Sequence, residues 1–253
     1  MTTISLPRAL SDNVLSRIAD TLGLREIKAP DGGPLMTLTS PMSPTPVGAV
    51  RQLVGGPLHH LVAVSIAVPP IGLDSHMLFA FTPPSSPIPH FTVDSVFAGG
   101  SYAFHLDLIP RVDLCTSVAY MDAALAPLTE VYGAASKIAG LSPAALGPRQ
   151  LALMSPWMLA YRADEKAFAA IEAPVMRYLE HWFSLLGKGL PGYVLDDIDS
   201  KVPAALIARN TRHKSALFDP ALDPVWSQVA RLIGEDTCVR IRDLLKTDAP
   251  VEG

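Results

Sequence analysis

The four residues AGGS at 98–101 constrain the fold of this chain most, because they place two adjacent glycines between two apolar-rich runs. Paired glycines readily adopt the positive φ angles of a tight hairpin turn. The flanking runs at 91–97 and 102–108 are therefore predicted to be neighbouring antiparallel strands. Counting outward from the turn gives three pairs on one face: Val96 with Ala103, Asp94 with His105, and Thr92 with Asp107.

The polar side chains of this hairpin are predicted to share one face, because side chains alternate along a strand. Asp94 would then lie opposite His105, with apolar neighbours around both. Since an unpaired buried carboxylate is unfavourable, such a face is open to water, holds a structural acid–imidazole pair, or lines a pocket. The pattern leaves these alternatives open.

The rest of the chain predicts a sheet followed by helices. The segments 60–68 and 76–81 indicate further strands, because they are short apolar runs bounded by prolines. Apolar residues at helical spacing indicate helices at 10–22, 118–139 and 165–186 and through most of 204–246, whereas 151–161 is expected to be extended. Strands grouped before helices favour an α+β fold with an antiparallel sheet sandwiched by helices. Residues 1–253 are expected to form one domain, because the proline-rich stretch 82–89 lies between close strands.

Composition argues against several classes of protein. The net charge of -4 does not favour nucleic-acid binding, which requires a basic face. The two cysteines, Cys115 and Cys238, lie far apart and fit a reducing compartment. The sequence lacks a secretory signal pattern and a plausible membrane-spanning segment, so a cytoplasmic protein is expected.

The common catalytic motifs are missing. The sequence contains no GxGxxG after a strand, no P-loop, no HExxH and no GxSxG. His59 and His60 have no companions at metal-ligand spacing, so no metal site is expected. A bound nucleotide, flavin, haem or metal is therefore not expected.

Four short motifs occur along the chain: LFAFTPPSSPIPHF at 78–91, LDL at 106–108, PRVD at 110–113 and DPVWSQVARLIGEDTCVRI at 223–241. In their order and spacing they resemble the red chlorophyll catabolite reductases, which belong with the ferredoxin-dependent bilin reductases. Asp94 stands where the chlorophyll-catabolite enzymes tend to have Glu, and in this respect the chain is similar to the bilin reductases.

This resemblance implies a three-layer α/β/α sandwich with a tetrapyrrole-sized pocket between the sheet and the C-terminal helices. It also implies a reductase of a linear tetrapyrrole or similar conjugated substrate, with reduced ferredoxin as external donor and no bound cofactor. Electrons would arrive singly, by a radical mechanism, while the protein supplies protons. The alternative is a non-catalytic tetrapyrrole binder or carrier, and either protein would be a monomer or homodimer.

The resemblance marks Asp94 and Asp223 as the catalytic acids. Burial among apolar groups should keep a proton available on Asp94, and His105 could relay or share it. Asp223 precedes Pro224 and a helical run, so it also fits an N-cap. One residue could serve both roles.

Substrate contacts are expected from Asp107 and from four basic residues. Arg209, Arg212 and Lys214 lie close together in the sequence and could hold substrate carboxylates or meet an acidic ferredoxin. A solvated helix face explains the same cluster. Arg111 belongs to the PRVD motif that resembles the family, but residues 111–113 could also form a salt-bridged turn after the strand.

Overall fold

One antiparallel sheet forms the middle of the molecule. The structure is a computed structural model that describes residues 4–198 and 203–248. Its strands are β1 (Arg25–Ile27), β2 (Met36–Ser40), β3 (Ser43–Gly55), β4 (Leu58–Val68), β5 (Leu73–Phe81), β6 (His90–Ala98), β7 (Ser101–Ile109), β8 (Leu141–Pro143) and β9 (Leu159–Ala163). They run in the order β1-β3-β4-β5-β6-β7-β9-β8, and β2 pairs with β3.

Helices cover both faces of this sheet. They are α1 (Leu6–Leu22), α2 (Val118–Ala124), α3 (Thr129–Ala135), α4 (Pro148–Leu151), α5 (Glu165–Ala170), α6 (Glu172–Lys188), α7 (Gly192–Asp197), α8 (Pro203–Leu217), α9 (Val225–Ile233) and α10 (Glu235–Lys246). Among the described residues, no helix combines the length and the hydrophobicity needed to cross a bilayer.

The hairpin predicted from the two glycines is confirmed. Gly99 and Gly100 have φ angles of 58° and 79°, in the positive region that residues with a side chain rarely adopt. The predicted register is also confirmed, with Val96 opposite Ala103, Asp94 opposite His105 and Thr92 opposite Asp107. The turn therefore fixes which polar groups meet across β6 and β7.

Two apolar cores lie on opposite faces of the sheet. The larger core packs α1 to α3 and α5 to α7 against residues such as Leu78, Phe91 and Leu106. The second core packs the end of α8 with α9 and α10 against residues such as Val64 and Phe79. The predicted fold class, an α+β protein with helices on both sides of an antiparallel sheet, is confirmed.

Two predicted helices are each divided in the structure. The segment 118–139 forms α2, a short 3₁₀ turn at Ala126–Leu128 and α3, because Pro127 has no N–H to continue the helix. The segment 165–186 forms α5 and α6, because Pro174 cannot donate to the carbonyl of Ala170. The predictions correctly placed helical sequence but missed both breaks.

The extended segment and the strand count were predicted incompletely. Of the segment 151–161, which was predicted to be extended, only residues 159–161 lie in a strand, β9, and Leu151 is the last residue of α4. Most of the strand β3 was not predicted, since it carries Pro44, Pro46 and Gly48. Gly48 is required there, because a side chain would collide with the backbone of Ser65 on β4.

Candidate functional site

A cavity of about 230 Å³ lies between the sheet and the C-terminal helices. Its floor comes from β5, β6, β7 and β9, and its roof comes from α9, the end of α8 and the segment 144–158. Most of the wall is apolar, and its largest side chains are Met77, Phe79, Phe104, Met154, Met158, Phe218 and Trp226. Because flexible methionines and aromatic rings pack well against flat apolar groups, this wall suits a conjugated ligand.

Asp94 and His105 face each other at the floor of the cavity. Their positions follow from the hairpin register, and Oδ2 of Asp94 lies 3.4 Å from Nδ1 of His105. The two other polar atoms of the pair, Oδ1 of Asp94 and Nε2 of His105, are buried and have no hydrogen-bond partner among the described residues. Buried polar atoms without a partner are uncommon, and their presence beside a cavity marks this pair as a candidate functional site.

The acids around His105 favour its protonated form. Burial alone would lower the pKa of His105, but the hydrogen bond and charge of Asp94, with the charges of Asp107 and Asp223, outweigh burial. The pKa of His105 therefore lies above its ordinary value of 6.5. An imidazolium among acids can release a proton when a neighbouring group becomes more basic.

Asp107 lies behind this pair and does not line the cavity. It is fully buried, and its carboxylate accepts hydrogen bonds from the backbone N–H and the hydroxyl of Ser155. Burial raises the pKa of Asp107 to about 6, against the opposing effects of His105 and of the Ser155 hydrogen bonds. Asp107 thus fixes the segment that carries Met154 and Met158 and adds negative charge near His105.

Asp223 lines the opposite wall and lies two residues before α9, so the N-cap position is Pro224 and not Asp223 as predicted. Its Oδ1 accepts from the backbone N–H of Val225 at 3.1 Å and from Nε2 of Gln150 at 3.2 Å. Burial raises the pKa of Asp223, and the charge of Asp94 adds to this shift. The side chain therefore satisfies a free amide at the start of a helix and also faces the cavity.

Two of the predicted basic contacts are engaged outside the cavity. Arg111 is buried, and its guanidinium donates to the carbonyl oxygens of Pro83 and Pro84 at 3.3 and 2.8 Å. Arg209 donates to carbonyl oxygens in the loop 110–112. Both arginines hold loop backbone, and neither lines the cavity.

The remaining basic residues of α8 also lie outside the cavity. Lys214 is 1% exposed, and its ammonium donates to the carbonyl of Thr247 at 2.8 Å and to Asp248 at 3.1 Å. Arg212 is exposed on the surface of α8. Of the three basic residues predicted as a cluster, Arg212 is therefore exposed, Arg209 is half-buried and Lys214 is buried.

Several residues that line the cavity were not predicted from the sequence. Gln150 lies on the short helix α4, and Met154 and Met158 lie on the irregular chain that follows it. The sequence pattern of this segment gave no sign of a site. Trp226 follows Asp223 by three residues, and its indole N–H is buried without a partner among the described residues. Trp226 belongs to the motif at 223–241 that carries the family resemblance, and its spacing from Asp223 is the signal that could have identified it as a cavity residue.

The histidines at 59 and 60 do not belong to this cavity. His60 is buried, with its ring 4.8 Å from that of Phe81. Across the described ranges 4–198 and 203–248, no three His, Cys, Asp or Glu side chains converge into a group that could hold a metal ion.

Comparison with solved structures identifies the architecture. The structure matches the crystal structure of selenomethionine-labelled phytochromobilin synthase from tomato in complex with biliverdin, with a TM-score of 0.73. The chain has the fold of phytochromobilin synthase. The match covers 95% of this chain and 82% of that one at 17% sequence identity, so it establishes the fold and not the reaction. No protein-family model matches the sequence, and no curated protein does so either.

The comparison confirms the fold expected from the sequence motifs. The tomato protein is a bilin-binding protein in its crystal, and its fold is the one that the resemblance implied. The narrower resemblance to red chlorophyll catabolite reductases stays a prediction.

Proposed function

We propose that this chain is a ferredoxin-dependent reductase of a linear tetrapyrrole, either a bilin or a chlorophyll catabolite, or of a similar conjugated substrate. One observation carries the proposal: Asp94, His105 and Asp223 surround an apolar cavity in a chain with the fold of phytochromobilin synthase. Acids beside an apolar cavity suit proton delivery to a conjugated molecule.

Reduction of one double bond requires two electrons and two protons. Two molecules of reduced ferredoxin supply the electrons one at a time, because the chain has no motif for a nucleotide or flavin of its own. Each electron makes the bound substrate more basic, so that it takes a proton from the wall. The first one-electron product is a radical, and the second electron and proton complete the reduction.

His105 is the first proton donor in this scheme. Its Nδ1 faces Asp94, which stabilises the imidazolium, while its Nε2 has no partner among the described residues and can donate to the substrate. Asp223 is the second donor, because its raised pKa keeps the carboxyl protonated to higher pH than an exposed aspartate. Solvent protons then refill both groups.

Asp107 acts through His105 in this scheme. Its charge favours the imidazolium, and its hydrogen bonds to Ser155 hold the adjacent cavity wall. It is therefore a positioning residue and not a substrate contact.

The test is an absorption experiment with purified protein. Biliverdin and red chlorophyll catabolite are each added with and without reduced ferredoxin. Binding should shift the absorption band of the substrate, and only reduced ferredoxin should then bleach or displace that band. A shift without turnover would support the alternative, a tetrapyrrole carrier. No shift with either compound would contradict both functions.

A further inference from the structure

The carboxyl group of Asp223 is held asymmetrically. Both of its hydrogen bonds end at one oxygen, since Oδ1 accepts from the backbone N–H of Val225 at 3.1 Å and from Nε2 of Gln150 at 3.2 Å. The other oxygen, Oδ2, has no hydrogen-bond partner among the described residues and, unlike Oδ1 of Asp94, is not closed off from accessible space. The free oxygen therefore belongs to a side chain that lines the cavity.

The orientation of the Gln150 amide is fixed by the helix on which it lies. Gln150 is the third residue of α4, and its Oε1 accepts from the backbone N–H of Gly147, the N-cap, at 3.0 Å. This contact is half of a capping box and assigns the carbonyl oxygen of the amide to Gly147. Nε2, which can only donate, is left facing Asp223. A flipped amide would place acceptor against acceptor at one end and donor against donor at the other.

The two donors on Oδ1 decide which oxygen of Asp223 carries the proton. In a protonated carboxyl group one oxygen bears the hydrogen and the other acts as an acceptor. Because two N–H groups point at Oδ1, that oxygen stays the acceptor in both protonation states, and the proton resides on Oδ2. Proton donation then leaves both hydrogen bonds in place and requires no rotation of the side chain.

The charged groups around Asp223 lie on three other elements. Burial raises the pKa of Asp223, and Asp94 on β6 raises it further, whereas His105 on β7 and the amide of Gln150 lower it. Arg149 precedes Gln150 on α4, but it is exposed and donates to a backbone carbonyl. Among the described residues, Gln150 is the one whose side chain hydrogen-bonds Asp223.

We propose that Gln150 is a positioning residue for the second protonation: it keeps Oδ1 of Asp223 as an acceptor, so that Oδ2 presents the proton to the substrate. This inference rests on the proposed function and deepens it. The O–H bond of Oδ2 breaks, its electron pair stays on that oxygen, and the hydrogen bonds to the substrate that the second ferredoxin electron has reduced. The carboxylate that remains is stabilised by the two N–H donors on Oδ1.

The first measurement is made on the ligand-free protein. Gln150→Met removes the amide and keeps the length of the side chain, whereas Gln150→Glu keeps an oxygen for the Gly147 N–H and loses the donor to Asp223. Leu151→Gln, at an exposed position on the same helix, is the control. In protein with ¹³C-labelled aspartate, the carboxyl signal that disappears in Asp223→Asn reports the pKa of Asp223. We expect this pKa to rise in both Gln150 variants, because the carboxylate loses a donor, and to stay unchanged in Leu151→Gln.

The second measurement is single turnover with reduced ferredoxin and whichever of biliverdin and red chlorophyll catabolite is reduced. The radical should form at the wild-type rate in both Gln150 variants. At low pH, where Asp223 is protonated in every variant, decay of the radical should be about tenfold slower, because the proton is no longer confined to Oδ2. With rising pH, the decay rate of the variants should begin to fall at a higher pH than in wild type. Damage to α4 alone would slow the reaction without moving that midpoint.

The outcomes separate this inference from the proposed function. An unchanged pKa of Asp223 in both Gln150 variants overturns the inference, and the reductase proposal stands. A raised pKa with radical decay at the wild-type rate also overturns it, because the hydrogen bond would then have no role in protonation. If the wild-type protein reduces neither compound, the proposed function fails and the inference fails with it, even where the pKa of Asp223 responds to Gln150.

Discussion

At the scale of single residues, the site consists of a histidine placed among three acids. Asp94 contacts His105 directly, whereas Asp107 and Asp223 act through their charges. An isolated imidazolium beside an apolar cavity would lose its proton, because burial favours the neutral ring. The acids reverse that preference and make the proton available where a substrate would lie.

Replacement of Asp94 by Asn tests this arrangement. The amide keeps the shape of the side chain and loses the charge that stabilises the His105 imidazolium, so proton delivery should slow by about 10²- to 10⁴-fold. A one-electron-reduced substrate should accumulate in a single-turnover absorption experiment, while the melting temperature changes little. If the pair is only structural, Asp94→Asn should lower stability by about 1 to 3 kcal/mol and leave the rate per folded molecule unchanged.

The pH dependence of single turnover gives a second test. Since the pKa of His105 is raised above 6.5, its proton is present at lower pH and is lost as the pH rises through that raised value. The rate should therefore be highest on the acidic side and fall about tenfold per pH unit above the pKa. The variant His105→Gln should lose this decline. His181→Gln, which alters a hydrogen bond to Ala124 in the other core, should keep it.

The ferredoxin surface can be tested at Arg212. The proposal that a basic face meets an acidic donor predicts that Arg212→Glu raises the ferredoxin concentration needed for half-maximal turnover, most strongly at low salt. Arg17→Glu, on the exposed surface of α1, makes the same charge change on the opposite side of the sheet and should have little effect. Equal ferredoxin dependence in both variants would leave Arg212 without a role. Lys214→Glu cannot serve here, because that side chain is buried.

At the scale of elements, α1 is joined to the sheet by a chain of hydrogen bonds. The hydroxyl of Ser5, at the start of α1, donates to Asp74 on β5. Asp74 also pairs with Nε2 of His76 at 2.9 Å, and Nδ1 of His76 lies 3.0 Å from the hydroxyl of Ser65 on β4. Burial alone would raise the pKa of Asp74, but the hydrogen bonds from His76 and Ser5 outweigh it and lower that pKa.

The variant Asp74→Asn should therefore reduce stability in a pH-dependent way. A carboxyl whose pKa is lowered by folding stabilises the native state above its unfolded pKa, and this contribution is lost as the pH falls through the folded value. Urea unfolding at pH 7 should show a loss of about 1 to 3 kcal/mol, and the gap from wild type should narrow below pH 4. Asp12→Asn, at an exposed surface pair on α1, should change stability by less than about 0.5 kcal/mol. The same loss at pH 4 and pH 7 would contradict this account.

Elements were predictable from the sequence where local chemistry decides them. Gly99 and Gly100 specify the turn, so the β6–β7 register follows by counting. The helix breaks at Pro127 and Pro174 were missed because apolar periodicity continues through both positions. Most of the strand β3 was missed because tertiary pairing with β2 and β4 overrides the weak strand propensity of its prolines and Gly48.

At the scale of the whole molecule, the cavity joins residues that are far apart in the sequence. Its wall extends from Ser75 to Trp226 along the chain. The pair Asp94–His105 could be predicted, because a hairpin makes it local. The contributions of Met154, Met158 and Gln150 could not, because only the packing of the segment 144–158 over the sheet brings them to the wall. The positions of the basic residues were also unpredictable, since their backbone and tail contacts are long-range.

The C-terminal layer depends on a buried ion pair that connects α8 to the segment after α10. Asp248 accepts from Lys214, from the amide of Asn210 and from the hydroxyl of Thr211. Burial lowers the pKa of Lys214 to about 8, although Asp248 opposes the shift. Because the pKa of Lys214 is lower in the folded protein (about 8) than in the unfolded chain (10.5), the charged ammonium lowers the free energy of unfolding at neutral pH. This destabilisation decreases as the pH rises from about 8 toward 10.5. The layer therefore tolerates Lys214 because Asp248 is present.

Removal of Asp248 alone should destabilise the protein, because it leaves a buried cation without its partner. For Asp248→Asn we expect a loss of about 3 kcal/mol in urea unfolding at pH 7. Lys214→Met removes the cation and keeps an apolar stem of similar length, so the double variant should recover most of that loss. Since Leu217 and Phe218 follow Lys214 and line the cavity, biliverdin affinity should weaken in Asp248→Asn and return in the double variant. Wild-type stability in Asp248→Asn, or no recovery on adding Lys214→Met, would show that this ion pair does not hold the roof of the cavity.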